Sequence, residues 1–153
     1  MGAGDDTLIA TGSGETITGA QGIDTLTGIG GIDTFVFNQG DSARGNANGN
    51  AAQNIDVITD FGVTDFLDLS LIGTAFNYTD GGLYLNYTAF LAAADAALDG
   101  TTRYFFAVYD NDANGIDAGD DGWLAVSYNP LTGVADEVIQ LTGFTALAAG
   151  DII

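Results

Sequence analysis

Acidic residues stand at Asp6, Glu15, Asp24 and Asp33, nine positions apart each time, and each is followed by threonine and then by a large apolar residue, Leu8, Ile17, Leu26 or Phe35. The units MGAGDDTLI, ATGSGETIT, GAQGIDTLT and GIGGIDTFV run without a gap from residue 1 to Val36. Such a repeat fits a glycine-rich turn of about six residues and a strand of about three, whose middle side chain points inward as the two-residue period of strands requires. Gly2, Gly4, Gly22 and Gly31 are the turn glycines of this frame. Two units make one coil. The repeats therefore predict a short parallel β-roll of two coils, with Leu8 in line with Leu26 on one sheet and Ile17 with Phe35 on the other.

Strands of adjacent coils lie roughly 4.8 Å apart, which sets Asp6 beside Asp24 and Glu15 beside Asp33. Two carboxylates that close do not both stay ionised without a counter-charge. A divalent cation supplies it, helped by backbone carbonyls that glycine turns expose. Calcium suits such a set because it accepts roughly six to eight oxygens in flexible geometry, whereas magnesium demands a tighter octahedron and keeps its waters. The bland alternative is a turn array with solvated acids and no metal.

Composition narrows the partners further. Arg44 and Arg103 are the only basic side chains against 21 acids, a formal charge of −19, so nucleic acid and anionic membrane surfaces repel the chain. Nineteen of those acids are aspartate, with Glu15 and Glu137 the exceptions, a bias toward turns and close ligation of cations. The absence of cysteine and histidine removes disulfides, Cys/His zinc sites and His-dependent nucleophiles. The sequence also holds no GxSxG or HExxH motif, so no catalytic residue is assigned and no enzyme activity is expected. No apolar run is long enough to insert in a membrane, and no signal-peptide pattern opens the chain.

The nine-residue units resemble the GGxGxDxUx nonapeptide of RTX proteins, a calcium-binding β-roll repeat. That resemblance implies a roll that folds on binding calcium outside the cell, after export by type I secretion machinery. The units depart from the pattern: Ser13 stands at a turn-glycine position, Glu15 replaces aspartate, and Ala20 and Ile29 occupy the second glycine position. Two coils are few for a free-standing solenoid. The first coil, beginning at Met1, needs either preceding repeats or a neighbouring molecule, which makes a homo-oligomer through that coil one expectation.

Residues 38–54 are polar and aperiodic and read as a mobile loop, with Arg44 near Asp41 for local pairing. From residue 55 to 153 the pattern is a β-rich cap: IDVITDF, FLDLSLI, LYLNY, RYFFAVYD, WLAVSYN and EVIQLTG, with turn signals at Gly81-Gly82 and at NPLTG. One helix is predicted over Ala89–Leu98, N-capped by Thr88 and stopped by Gly100. The stretch IDVITDFGVTDFLDLS resembles the segment that follows the roll in serralysin-type proteases, and its Asp56, Asp60, Asp65 and Asp68 are candidates for an ion at the last coil. In DNDANGIDAGDDG, Asp110, Asp112 and Asn114 with Asp121 fall at EF-hand-like positions 1, 3, 5 and 12, which reads either as a calcium loop between strands or as an acidic hairpin tip. The tail ending in Asp151, Ile152 and Ile153 resembles the end of type I secretion substrates. The whole is thus expected to be all-β and extracellular: a calcium-binding RTX C-terminal module, or a structural subunit whose assembly depends on calcium.

Overall fold

The computed structural model describes residues 2–129 and 131–153; Met1 of the first unit and Pro130 of the NPLTG turn signal lie outside them. Each threonine triplet is a three-residue strand: β1 (Thr7–Ile9), β2 (Thr16–Thr18), β3 (Thr25–Thr27) and β4 (Thr34–Val36). The strands are short because the turn takes the other six positions of each unit. β1 pairs parallel with β3, Leu8 opposite Leu26, and β2 with β4, Ile17 opposite Phe35. Ile17, Leu26 and Phe35 are buried in the thin core between the sheets, while Leu8 is only partly covered.

The roll then continues where the repeat count breaks. Position 42, the next in frame on this side of the coil, holds Ser42, whose hydroxyl accepts the Asp56 N–H at 3.3 Å. The chain leaves at that point and returns 56 − 42 = 14 residues later. Residues 38–54, expected as a loop, carry an antiparallel hairpin of β5 (Asn46–Asn48) and β6 (Ala51–Gln53). Arg44 pairs with Asp95, not with Asp41, through two bonds of 2.6 and 2.7 Å. A third coil follows in β7 (Asp56–Ile58) and β8 (Phe66–Asp68), which add in parallel to β3 and β4. The two-coil roll expected from the repeats is therefore extended to three coils, and residues 55–69 belong to it as well as bordering the cap.

The cap consists of β9 (Tyr78–Tyr84), α1 (Tyr87–Ala97), β10 (Tyr104–Tyr109), β11 (Asp121–Val126) and β12 (Glu137–Leu141). Asn86 caps α1, accepting the Ala89 N–H at 2.8 Å, and Leu98 is the C-cap, so the helix starts a little before the position set by Thr88 and ends just before the expected Leu98. One seven-stranded sheet, ordered β1-β3-β7-β12-β11-β10-β9, runs unbroken from the roll through the cap. Alternation along β10 and β11 splits its cap portion between two cores. Tyr104, Phe106, Val108, Leu124 and Val126 extend the roll interior, whereas Phe105, Ala107, Trp123 and Ala125 meet Phe90 and Ala94 of α1. The fold is all-β with a single α-helix among the described residues.

Candidate functional site

The parallel register brings Asp6 beside Asp24 and Glu15 beside Asp33, but the first bond between them runs from carboxylate to main chain. Asp24 Oδ1 accepts the Asp6 N–H at 2.8 Å, and Asp56 Oδ1 accepts the Asp24 N–H at 2.7 Å. On the opposite side Asp33 Oδ1 accepts the Gly14 and Glu15 N–H groups at 3.0 and 2.8 Å, and Asp65 Oδ1 accepts the Asp33 N–H at 2.9 Å. The acid of each coil thus satisfies an amide of the coil before it. The spacing of nine produces these two columns because it returns every acid to the same corner of the coil.

Each ladder bond occupies one carboxylate oxygen. The second oxygens of Asp24, Asp33 and Asp56, and Oε2 of Glu15, are buried without a hydrogen-bond partner, and Asp24, Asp33 and Asp56 are at most 1% exposed. Buried ionised groups in that condition are costly unless a cation meets them. The glycine turns make the space: a Cβ at Gly19 or Gly28 would run into Asp24 Oδ2 or Asp33 Oδ2. Among the predicted turn glycines, Gly4, Gly22 and Gly31 adopt φ values of +122°, +155° and +117°, whereas Gly2 stays outside that region. Ala20 and Ile29 take positive φ too, at 70° and 59°, with the strain that glycine would avoid. Burial, aided by the nearby negative charge of Asp24, pushes the Asp56 carboxyl up to about 7, against the lowering effect of the Asp24 amide. Asp65 and Asp60 differ, since both of their oxygens accept main-chain N–H groups, from Asp33 and Gly62 and from Gly28 and Ile29. Asp68 lies in β8 opposite Val36.

The 110–120 loop joins β10 to β11. Asp110, Asp112 and Asp120 place carboxylate oxygens within 4.8 Å of one another, the one such group of three among the described residues. Asp110 Oδ1 accepts the Asp112 and Ala113 N–H groups and its Oδ2 that of Gly115. Asp120, which sequence reasoning missed, replaces Asp121 in this set. Asp121 is the first residue of β11, and its carboxylate accepts from Gln140 Nε2 at 2.7 Å and Gly143 N–H at 2.9 Å. Neighbouring residues entering a strand face opposite ways, so only one of the two acids can join the loop. Asn114 turns its amide nitrogen to Asp112 and Asp117.

Glu137, also unassigned from the sequence, closes the main acid column at the cap. It opens β12, accepts the Gly40 N–H and is 2% exposed, with Oε2 unpaired. Burial pushes its carboxyl up to about 7, with Asp41 and Asp56 adding to the rise and the Gly40 amide and Tyr128 hydroxyl opposing it. The Tyr128 hydroxyl acts on Glu137 from nearby, and neither it nor Glu137 Oε2 has a partner within hydrogen-bond geometry. The signal that could have found the third coil was present: Asp56 and Asp65 are again nine apart, each two residues before an apolar side chain, Ile58 or Leu67.

At the C-terminus, Asp151 ends a 3-10 turn (Ala149–Asp151) and accepts the Ala148 N–H at 2.8 Å. Ile152 is buried and bridges to Leu67, and Ile153 donates its N–H to the Leu67 carbonyl at 2.9 Å while its side chain stays exposed. No helix of the described residues is long and apolar enough to cross a membrane.

The sequence matches no protein-family model and no curated protein. Among solved structures, the chain is similar to the solution structure of the AlgE6R3 subunit from the Azotobacter vinelandii mannuronan C5-epimerase, with 23% identity and a TM-score of 0.40 over 99% of this chain and 78% of that one.

Proposed function

We propose that this chain is a calcium-binding β-roll module whose folding is completed by the ion, and that it works as a binding and folding unit with no catalytic role. The observation that carries the reading is the row of buried carboxylates in the roll, Asp24, Asp33 and Asp56, each with one oxygen on the ladder and the other unpaired. Calcium supplies the missing charge and accepts the hard oxygen donors that aspartates and turn carbonyls offer. The residues that would hold it are Glu15, Asp24, Asp33 and Asp56 in the roll, with Asp6 at its outer end, and Asp110, Asp112 and Asp120 in the cap loop. With a formal charge of −19 the metal-free chain repels itself, so low calcium favours the open roll and millimolar calcium the closed roll.

That switch suits a protein made where calcium is scarce and used where it is abundant. We accordingly assign the module to an extracellular protein exported by type I secretion, with Asp151, Ile152 and Ile153 at the end recognised for export. The support is the RTX-like repeat and tail in the sequence. Small-angle scattering during a calcium titration of the chelated chain tests the folding part. With the cap folded and the roll open in chelator, the radius of gyration should lie between the roughly 40 Å of an unfolded chain and the roughly 15 Å of a compact one, and fall to the compact value with calcium; a chain that is already compact in chelator and unresponsive to calcium would overturn it.

A second reading, calcium-dependent self-assembly, draws on the outermost coil. β1 and β2 each have a single strand neighbour, and Ile9 is 60% exposed beside the open edge. Paired copies would then bury that edge, and the scattering mass would rise with calcium rather than the radius fall.

A further inference from the structure

The carboxylates at the seam between roll and cap are not explained by the turn-to-turn pairs of the repeat. Asp56 and Glu137 stand on neighbouring strands there, Asp56 opposite Ile139 in the parallel pairing of β7 with β12, and the charges of Asp24 and Asp41 bear on Asp56 as those of Asp41 and Asp56 bear on Glu137. Ser42 binds the two sides. Its hydroxyl donates to the Val138 carbonyl at 3.0 Å, next to Glu137, and accepts the Asp56 N–H at 3.3 Å. Asp56 and Glu137 are 0% and 2% exposed, and each spends one oxygen on a main-chain amide, Asp24 and Gly40 respectively. Asp56 Oδ2 and Glu137 Oε2 are left buried and unpaired, with neither Arg44, held by Asp95, nor Arg103 donating to them.

We infer that Asp56 and Glu137 together bind one divalent cation at this seam, a site in which the roll supplies one ligand and the cap the other. The inference rests on the calcium reading above for the identity of the ion. Two carboxylate oxygens leave the remaining positions of a calcium shell to backbone carbonyls and water, which is the usual mixture for that ion. Their separation of 137 − 56 = 81 residues gives the site a function that the turn sites lack. An ion held by neighbouring coils closes a coil, whereas an ion held here fixes the cap to the end of the roll.

The test counts calcium ions bound to the chelator-stripped chain by native mass spectrometry and calorimetric titration. Glu137→Gln keeps an oxygen for the Gly40 amide and removes the charge; it should bind one ion fewer than the unmodified chain. Asp56→Asn should lose that ion as well, and the double variant should lose no more than Asp56→Asn alone. An unchanged ion count in Glu137→Gln overturns the seam site and leaves the roll reading standing, and so does a double variant that loses one ion more than Asp56→Asn. An unmodified chain that binds no calcium overturns both. A second measurement does not require the Glu137 variant to fold. Terbium in calcium's place at the seam is sensitised by Tyr128, so Tyr128→Phe should dim tyrosine-excited terbium emission with no change in ion count. Undiminished emission overturns the site.

Discussion

The roll and the cap share one sheet and solve opposite problems in it. In the roll each strand is three residues long and sends a single side chain inward, so Ile17, Leu26, Phe35, Ile58 and Leu67 form a core one residue thick. In the cap the strands reach five to seven residues, and β10, β11 and β12 are buried on both faces. Trp123 is fully buried there, its ring 5.0, 5.2 and 4.4 Å from those of Tyr87, Phe90 and Tyr109. Apolar area alone can hold the cap. The roll buries less and places an acid at each corner, so its stability hangs on what neutralises those acids. A continuous sheet therefore need not be uniform in what stabilises it.

Substitution in the cap should give the largest effect and should be indifferent to calcium. Trp123→Ala is expected to cost about 3–5 kcal/mol, read as the same drop in urea unfolding with calcium and with chelator; a loss confined to the calcium-loaded chain would erase the contrast. In the roll the outcome reverses. Asp24→Ala strands the Asp6 amide and removes a ligand, and the calcium midpoint followed by circular dichroism should rise by about tenfold or more, equivalent to about 1.4 kcal/mol, with little loss in chelator. An unshifted midpoint would break the link between ion and coil closure.

A smaller effect lies in pH. Asp56 and Glu137 both have folded pKa values raised to about 7, above the ordinary carboxylate range. The folded state then binds more protons than the unfolded one between roughly pH 4 and 7. Their contribution is fully present below that window and is lost as the pH rises through about 7. Urea midpoints in chelator should thus be higher at pH 5 than at pH 7.5, and Asp56→Asn should flatten the difference. The smallest change is a gain: Ile29→Gly relieves a β-branched residue at φ 59° whose side chain is half exposed, and should stabilise the roll by about 1 kcal/mol in thermal melts.

The first two coils were legible in the sequence because the unit of nine is local: turn, acid, threonine and apolar residue follow one another within it. The third coil was hidden by the 13 residues between Ser42 and Asp56 and by Val57 and Phe66 in place of threonine, although Asp56 and Asp65 keep the spacing. The all-β character of the cap followed from its strand patterns, but the order of its strands is set by pairing over long distances. That is why Glu137 could not be placed: only the pairing of β12 with β7 brings it to Gly40. Asp120 was missed for a smaller reason, since the choice between it and Asp121 depends on the residue at which β11 begins. Arg44 bonds to Asp95, 51 residues away, which no local reading of the 38–54 segment suggests.

The carboxylate ladder has a direction. Asp24, Asp33, Asp56 and Asp65 each reach back to an amide of the preceding coil, so the amides of Asp6, Glu15, Asp24 and Asp33 have their carboxylate acceptor only when the next coil is in place. Peeling away β1 and β2 would free Asp24 and Asp33 from a bond and leave the Thr25 and Thr34 amides, which lose the Asp6 and Glu15 carbonyls, at the new edge, while the carboxylate-bonded amides of the coils that remain keep their acceptors. Removing β7 and β8 would leave the buried Asp24 and Asp33 amides with no acceptor. Under a stretching force applied at the outer end, the roll should therefore open coil by coil toward the cap, each step leaving the carboxylate-bonded amides of the remaining coils satisfied, and it should close again in the reverse order with the cap as its template.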